Sequence, residues 1–248
     1  MRLTVRRAVF AFAMLLVLGR SAGALFETRD SKLQAVKTVG IISAVGDRFV
    51  FSKAGLTGFD NSSRSVSVAA WALDDFFVQQ ATSLLSARFQ VKPVSYSRAT
   101  FAAINESPLR PVELIRGDRF KKLVETDVTP QGLDAFVVIS RAKSDLGAGG
   151  RKVEGIGLVT YGTMMESYSA IHALYEIRVV DGKTFDVIEK LAAGPLDHST
   201  DLRLAGPSRL LDEGIPVGSV EASDSMHRAV VDLITRSLPV TLEDMHLR

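Results

Sequence analysis

Two short runs of apolar residues constrain the fold of this chain more than any other feature of its 248 residues. The first is VKTVGIISAV at 36–45, which is a nearly continuous apolar run, and the second is AFVVI at 135–139, which is apolar at every position. Runs this short and this continuously apolar are typical of strands that are covered on both faces. They therefore predict two buried strands, with 135–139 at the centre of a sheet.

Two longer segments have helical periodicity instead. Between residues 66 and 89, apolar residues recur at spacings of three and four, which predicts a helix of about six turns. A second helix is predicted from Asp224 to Leu238, with Ser223 as its N-terminal cap and Pro239 as the residue that ends it. The apolar stripes are Val66, Ala69, Ala70, Leu73, Phe77, Ala81 and Leu84 in the first helix, and Met226, Val230, Leu233 and Ile234 in the second.

The first predicted helix has an unusually wide apolar face. Trp71, Val78 and Leu85 widen its apolar face beyond what contact with one sheet needs. Either this helix is deeply buried, or the wide face is a seam through which two copies of the chain associate.

Asp74 and Asp75 point about 100° apart on a helix, so they cannot face one substrate together, and both are expected in solvent.

Turn residues predict two hairpins. Gly46–Asp47 separates the first apolar run from Phe49–Phe51, which predicts that these two strands pair. Asp181–Gly182 is a strong hairpin signal, and it joins an alternating strand over Ser169–Val180 to a partner strand over Thr184–Leu191.

Together these elements predict a mixed α/β (α+β) domain over residues 36–238. Its mixed sheet contains antiparallel hairpins, and two principal long helices pack on it. A short strand at Gln90–Tyr96 is expected at an edge or end of the sheet, because Pro93 cannot donate a hydrogen bond. The remaining segments are predicted as a flexible leader at 25–35, an irregular stretch at 194–221 and a C-terminal tail at 239–248.

The N-terminus has the pattern of an export signal. Arg2, Arg6 and Arg7 precede the apolar run at 8–18, and Ala22–Ala24 offers small residues for cleavage after Ala24. The run is too short to cross a bilayer as a helix, which needs about 20 apolar residues. The chain has no cysteine that could be acylated, so we expect a periplasmic or secreted protein without a direct membrane anchor.

Charge argues against nucleic acid as a partner. The formal charge of the full chain is +2, and cleavage after Ala24 removes four arginines, so the mature chain carries −2. No cluster of lysine and arginine replaces them. A binding site for nucleic acid needs such a basic footprint.

The sequence predicts no cofactor or metal site and only a weak catalytic candidate. Its single G-x-S-x-G match lies at 19–23, inside the export signal, and no G-x-G-x-x-G follows a strand. The histidines lack the spacing of zinc ligands. His172 falls on the wet face of its alternating strand, which predicts a solvated side chain. His198, between Asp197 and Asp201, is the candidate for acid–base or metal chemistry.

The segment YGTMMESY at 161–168 is the candidate partner-binding surface. It places Tyr161, Met164, Met165 and Tyr168 between two strand-like stretches, where turn residues are normally small and polar. Tyrosine and methionine are adaptable contact residues. The alternative is that this segment folds back onto the protein's own core.

The order of elements resembles a family of bacterial envelope domains. These are the α/β domains of the curli-secretion lipoprotein, of the lipoprotein activators of penicillin-binding proteins, and of the N-terminal part of the Tol propeller protein. The resemblance rests on Val36–Val45, LDAFVVISRA at 133–142, MHRAVVDLITRSL at 226–238 and the hairpin Arg178–Val187. It implies an envelope accessory or adaptor domain, although the acylated cysteine and the long pore-forming hairpins of those proteins are missing here.

The sequence thus favours an exported, non-enzymatic envelope accessory protein that binds an envelope protein through 161–168 or through the edge near 90–96. One alternative is a secreted hydrolase centred on His198. The other is a periplasmic carrier of a small ligand, which would need a sizeable apolar cavity.

Overall fold

A computed structural model describes residues 28–54, 61–106, 118–146, 151–162, 167–196, 204–211 and 223–248. A boundary between Ala35 and Val36 divides the chain into two units. In the first unit the described residues form helix α1 (Arg29–Ala35), and the Thr28 hydroxyl accepts a hydrogen bond from the Ser31 amide at 3.3 Å. The second unit contains two five-stranded sheets and the remaining described helices.

The first sheet contains both of the continuously apolar runs. Its strands, in spatial order, are β11 (Val187–Ala192), β10 (Tyr175–Asp181), β5 (Ala135–Arg141), β1 (Thr38–Ala44) and β4 (Gln90–Lys92). β1 runs parallel to β4 and β5, whereas β10 is antiparallel to β5 and β11. β5 is central and almost wholly buried, as its composition predicts, and β4 is an edge strand, as Pro93 predicts.

The second sheet lies beside a small hairpin. Its spatial order is β12 (Ser208–Leu211), β9 (Ser167–Ala173), β8 (Ile156–Gly162), β2 (Arg48–Ala54) and β3 (Ser62–Ser67). β2 and β8 are parallel and the other pairs are antiparallel. The separate hairpin joins β6 (Lys143–Leu146) to β7 (Arg151–Glu154). β12 falls within 194–221, so the prediction that this stretch is irregular throughout is wrong.

Helices cover both faces of the first sheet. The long helices α2 (Leu73–Leu85) and α5 (Asp224–Asp244) lie on one face, where Tyr175 packs edge-on against Phe77 at 5.0 Å and its hydroxyl contacts the Ser237 hydroxyl at 2.7 Å. The shorter α3 (Arg98–Glu106) and α4 (Arg119–Asp127) cover the other face. Phe101 and Phe120 pack there against Phe136 of β5. The predicted mixed α/β class, with two principal long helices on a mixed sheet, is confirmed.

The two hairpin predictions have opposite outcomes. Asp181–Gly182 does turn the chain from β10 into β11, with the Asp181 carboxylate accepting from the Lys183 and Thr184 amides at 2.8 and 2.9 Å. A side chain at Gly182 would collide with the Leu133 carbonyl oxygen, only 1.8 Å from an ideal Cβ. The predicted hairpin across Gly46–Asp47 is wrong, because β1 and β2 pair in different sheets.

The alternating segment 169–180 is also divided between the sheets. It is predicted as one strand, but Leu174 separates β9 in the second sheet from β10 in the first. Leu174 is buried, and its amide donates to the Gly155 carbonyl at 2.8 Å while its carbonyl accepts from Ala142 at 3.0 Å. An alternating pattern continues smoothly through this junction, so it does not reveal the change of sheet.

Both long helices differ from their predicted bounds. The first begins at Leu73, because Val66 pairs with Phe49 in the β2–β3 ladder and Ala72 has a left-handed φ of 47°. A 3₁₀ turn at Ala69–Trp71 lies between strand and helix. The second helix continues through Pro239 to Asp244. Proline removes one backbone donor there, but buried apolar residues on both sides of it hold the helix, namely Leu238, Leu242, Met245 and Leu247.

The wide apolar face of α2 is used within the chain. Leu85 of α2 is fully buried. Trp71, in the 3₁₀ turn that precedes α2, stacks on His227 of α5 at 4.9 Å and meets Phe49 edge-on at 5.4 Å. These contacts support deep burial as the explanation of the face. Across the described ranges, no helix combines the length and the apolar character that a membrane span requires.

Candidate functional site

The weak catalytic candidates fall outside the described residues. Asp197, His198 and Asp201 lie in the gap at 197–203, and the export signal lies before Thr28. Within the described ranges, no three metal-ligating side chains come close enough to hold an ion. The hydrolase alternative centred on His198 therefore stays a prediction.

Two of the four partner-binding candidates have a defined position. Tyr161 is the penultimate residue of β8 and Tyr168 is the second residue of β9, and the two are directly opposite each other in the antiparallel register. Their rings stack with centroids 5.9 Å apart and an angle of 29° between planes. Met164 and Met165 lie outside the described residues. The tyrosines thus belong to paired strands rather than to the turn between them.

The two tyrosines differ in what surrounds them. Tyr161 is half-buried and packs against an apolar cluster that includes Leu146, Val159 and Ala170. Tyr168 keeps 40% of its surface exposed. Among the described residues, the large hydrophobic side chains that are mainly exposed are Tyr168 and Val240. A partly exposed aromatic ring that stacks on its cross-strand neighbour suits a contact surface.

The predicted sheet edge near 90–96 is partly closed by its own chain. β4 pairs with only the first three residues of β1. Further along β1, the Tyr96 hydroxyl accepts from the Ser43 amide at 3.0 Å and donates to the Ser43 carbonyl at 3.1 Å. That side chain therefore occupies backbone groups that an added strand would use.

The prediction of a solvated His172 is wrong. The side chain is fully buried in β9, and Nδ1 donates to the Gly155 carbonyl oxygen at 2.9 Å. Nε2 has no hydrogen-bond partner, so the ring is held as the neutral tautomer with its proton on Nδ1. The face of β9 that alternation marks as wet is covered by the β6–β7 hairpin and by the segment around Leu204.

Burial makes His172 sensitive to acid. It lowers the pKa of the imidazole from 6.5 to about 4, and the hydrogen bond to Gly155 opposes this shift only in part. Between these two pH values the unfolded chain holds a proton that the folded protein excludes. The free energy of unfolding therefore falls as the pH is lowered from about 6.5 to about 4.

We expect His172→Gln to flatten this pH dependence. The wild-type protein should lose up to about 1.4 kcal/mol of stability per pH unit through this one group. Urea unfolding between about pH 7.5 and about pH 4.5 measures the free energy of unfolding of both proteins. Carboxylates that titrate in both proteins contribute equally, so their effect drops out of the difference between the two curves. Parallel curves for the two proteins would contradict the assignment.

Asp74 is a second residue whose predicted exposure is wrong. It is buried at the start of α2, and Oδ1 accepts from the Ser43 hydroxyl at 2.6 Å, the Val45 amide at 2.9 Å and the Gly46 amide at 3.1 Å. These donors lie where β1 leaves the first sheet. Asp75 does face solvent, as predicted, and its hydrogen bond with the Arg98 guanidinium holds its pKa below the usual range.

Sequence reasoning missed the buried cation Arg178. The guanidinium lies under α4. Its Nε is 3.1 Å from an Asp118 carboxylate oxygen, so the two groups form an ion pair, but the N–H is not aligned for a hydrogen bond. It also pairs with Glu176, donates to the Ser140 hydroxyl at 2.9 Å and lies 4.3 Å from the centroid of the Phe120 ring. These contacts join β5, β10 and α4, so the cluster stabilises the fold and presents no open face to a substrate.

Comparisons with known proteins identify no family for this chain and only distant structural similarity. No family model matches the chain, and no curated protein matches its sequence. Among solved structures, a lipoprotein from Neisseria meningitidis is 13% identical with a TM-score of 0.26, covering 82% of this chain and 97% of its own. A hypothetical protein from Chlamydia trachomatis is 13% identical with a TM-score of 0.31, covering 85% and 91%. Both TM-scores are low, and neither structure indicates what this chain does.

Proposed function

We propose that this protein is an exported, non-enzymatic accessory protein of the cell envelope that binds a protein partner at the Tyr161–Tyr168 end of the second sheet. The observation that carries the proposal is the exposed Tyr168 ring, stacked on Tyr161 at the end of two paired strands. Aromatic side chains that are rigid before binding contribute contact area at little cost in conformational entropy. The sequence pattern of an export signal places this contact in the envelope.

The β4 edge is the weaker of the two proposed contact surfaces. Strand addition requires a row of unpaired backbone groups, and the Tyr96 hydroxyl already engages Ser43 beyond β4. At the Tyr161–Tyr168 end the two stacked rings belong to paired strands, and Tyr168 keeps 40% of its surface exposed. We therefore assign the partner to the aromatic pair.

Tyr168→Ser is expected to abolish partner binding while lowering the melting temperature by no more than about 6 °C. The thermal effect stays limited because the ring is 40% exposed and its stacking on Tyr161 contributes about 0.5–1.5 kcal/mol. Tyr161 is kept in this variant, since its ring packs on the apolar cluster beneath it. Thermal unfolding by circular dichroism and affinity purification from the native host's envelope fraction provide the two measurements.

Site-specific photo-crosslinking tests the same surface with a matched control. A photoreactive phenylalanine at position 168 should give one discrete adduct with an envelope protein in intact cells. The same residue at position 240, which also replaces an exposed hydrophobic side chain, should not. Absence of an adduct at 168, or an identical adduct from both positions, would refute the proposed surface.

A further inference from the structure

Strand β3 forms one edge of the second sheet. It has six residues, Ser62–Ser67, and it pairs with β2 along its whole length in one continuous register. All of its residues are exposed except Val66, which is half-buried. A strand at the edge of a sheet presents backbone N–H and C=O groups with which another strand can pair.

The direction of these backbone groups follows from the pairing with β2. Just after β3, the Val68 amide donates to the Asp47 carbonyl oxygen at 2.6 Å, so the backbone groups of residue 68 face β2. Backbone groups alternate in direction along a strand, and those of Ser63, Ser65 and Ser67 therefore point away from β2. Within the described part of the chain, these outward groups make no hydrogen bond. They are donors and acceptors available to a further strand.

β3 lacks the features that normally protect a sheet edge. Natural edge strands are very short, or they carry proline, lysine, a bulge or an inward-pointing charge. In the first sheet, β4 has three residues and is followed by Pro93, and β11 carries Glu189 and Lys190 and pairs through a register shift. The charged residue of β3 is Arg64, and its guanidinium lies over the Phe51 ring of β2, 4.5 Å from the centroid. That charge is directed back over the sheet and not across its edge.

We propose that β3 pairs with β3 of a second copy of this chain, antiparallel and about a two-fold axis at Ser65. In this register the backbone groups of Ser65 pair with those of Ser65 in the other copy, and Ser63 pairs with Ser67. Every outward group of the strand is then used. Arg64 lies opposite Val66, so like charges do not meet. The two copies join their second sheets into one continuous sheet.

The sequence of β3 favours this register over its neighbours. A shift of two residues in one direction places Arg64 opposite Arg64 of the other copy, and like charges directly opposite each other destabilise a strand pair. A shift in the other direction places Val66 on the axis and leaves Ser63 outside the paired region. A two-fold interface requires one surface to be complementary to itself, and serines on both sides of Ser65 meet this requirement. The proposal does not depend on the partner surface at Tyr168.

A single introduced cysteine tests both the dimer and its register, because the chain has no cysteine of its own. In Ser65→Cys the two Cα atoms would be about 5.5 Å apart, within the range of about 4.4–6.8 Å that a disulfide spans. Mild oxidation of the purified protein should convert most of it to a disulfide-linked dimer. The matched control is Ser62→Cys, in the same exposed strand. Its two copies would be about 20 Å apart, so it should form no disulfide dimer.

Sedimentation equilibrium tests the dimer without a crosslink. The wild-type protein is expected to have twice the mass of one chain, and so is Ser65→Ala, which keeps the backbone groups. Ser65→Lys places two positive charges on the axis and should have the mass of one chain. Position 65 is exposed, so both variants should fold, which thermal unfolding will check.

Two results would overturn the proposal. One is equal formation of disulfide dimers by Ser65→Cys and Ser62→Cys, because random collision would then explain both. The other is a purified wild-type protein with the mass of one chain, which is what an edge reserved for a strand of a different protein predicts.

Discussion

Replacing Asp74 with alanine is expected to lower the free energy of unfolding by about 3–5 kcal/mol. The carboxylate accepts hydrogen bonds from the Ser43 hydroxyl and from the Val45 and Gly46 amides, in a buried position. Alanine would leave these donors without an acceptor and without access to water, and each buried unsatisfied donor costs about 1–3 kcal/mol. Because the donors lie where the chain leaves the first sheet, the loss should weaken the junction between the two sheets.

Asp75 provides the matched control for this experiment. It is the adjacent residue on the same helix, but its side chain is 61% exposed and its partner Arg98 is also exposed. An exposed ion pair contributes little, so Asp75→Ala should cost less than about 1 kcal/mol. Urea unfolding measures both variants, and Asp74→Asn, which keeps one oxygen acceptor, should fall between them. Equal effects of Asp74→Ala and Asp75→Ala would show that Asp74 is not the buried acceptor described.

Replacing Arg178 with alanine should have an effect of similar size, about 3–5 kcal/mol. The substitution removes the cation that lies between the Asp118 and Glu176 carboxylates and above the Phe120 ring. It would leave two negative charges facing each other in a largely buried space. The measurement is again the free energy of unfolding in urea.

Two further variants show whether Arg178→Ala loses stability because charges are left unbalanced or because packing is lost. Lys190 also contacts Glu176, at 3.0 Å, but is 47% exposed, so Lys190→Ala should cost less than about 1 kcal/mol. Adding Asp118→Asn and Glu176→Gln to Arg178→Ala should restore part of the lost stability, because the unbalanced charges are gone. A triple variant no more stable than Arg178→Ala would mean that packing, and not charge, accounts for the loss.

Much of the first sheet could be predicted from local sequence. The continuous apolar runs mark β1 and β5 as buried strands, Asp181–Gly182 marks the turn into β11, and Pro93 marks the edge at β4. In each case the signal lies within a few residues, because burial on both faces, a tight turn and a missing donor are local constraints.

The buried polar residues could not be predicted in the same way. Alternation shows that His172 lies opposite the apolar face of its strand, but not that a hairpin distant in sequence covers it. The spacing of residues on α2 likewise does not reveal that the Asp74 carboxylate accepts a hydrogen bond from Ser43 of β1, which is 31 residues earlier in the chain.

Local sequence patterns were enough to predict the class of the fold, the buried strands β1 and β5 and the turn at Asp181–Gly182. The division of the strands into two sheets follows from tertiary contacts, since Gly46–Asp47 has the residues of a hairpin turn and the alternating pattern continues through Leu174. Periodicity shows only which side of a strand is apolar. The elements that cover each side, such as the β6–β7 hairpin over His172, are set by contacts between residues far apart in the chain.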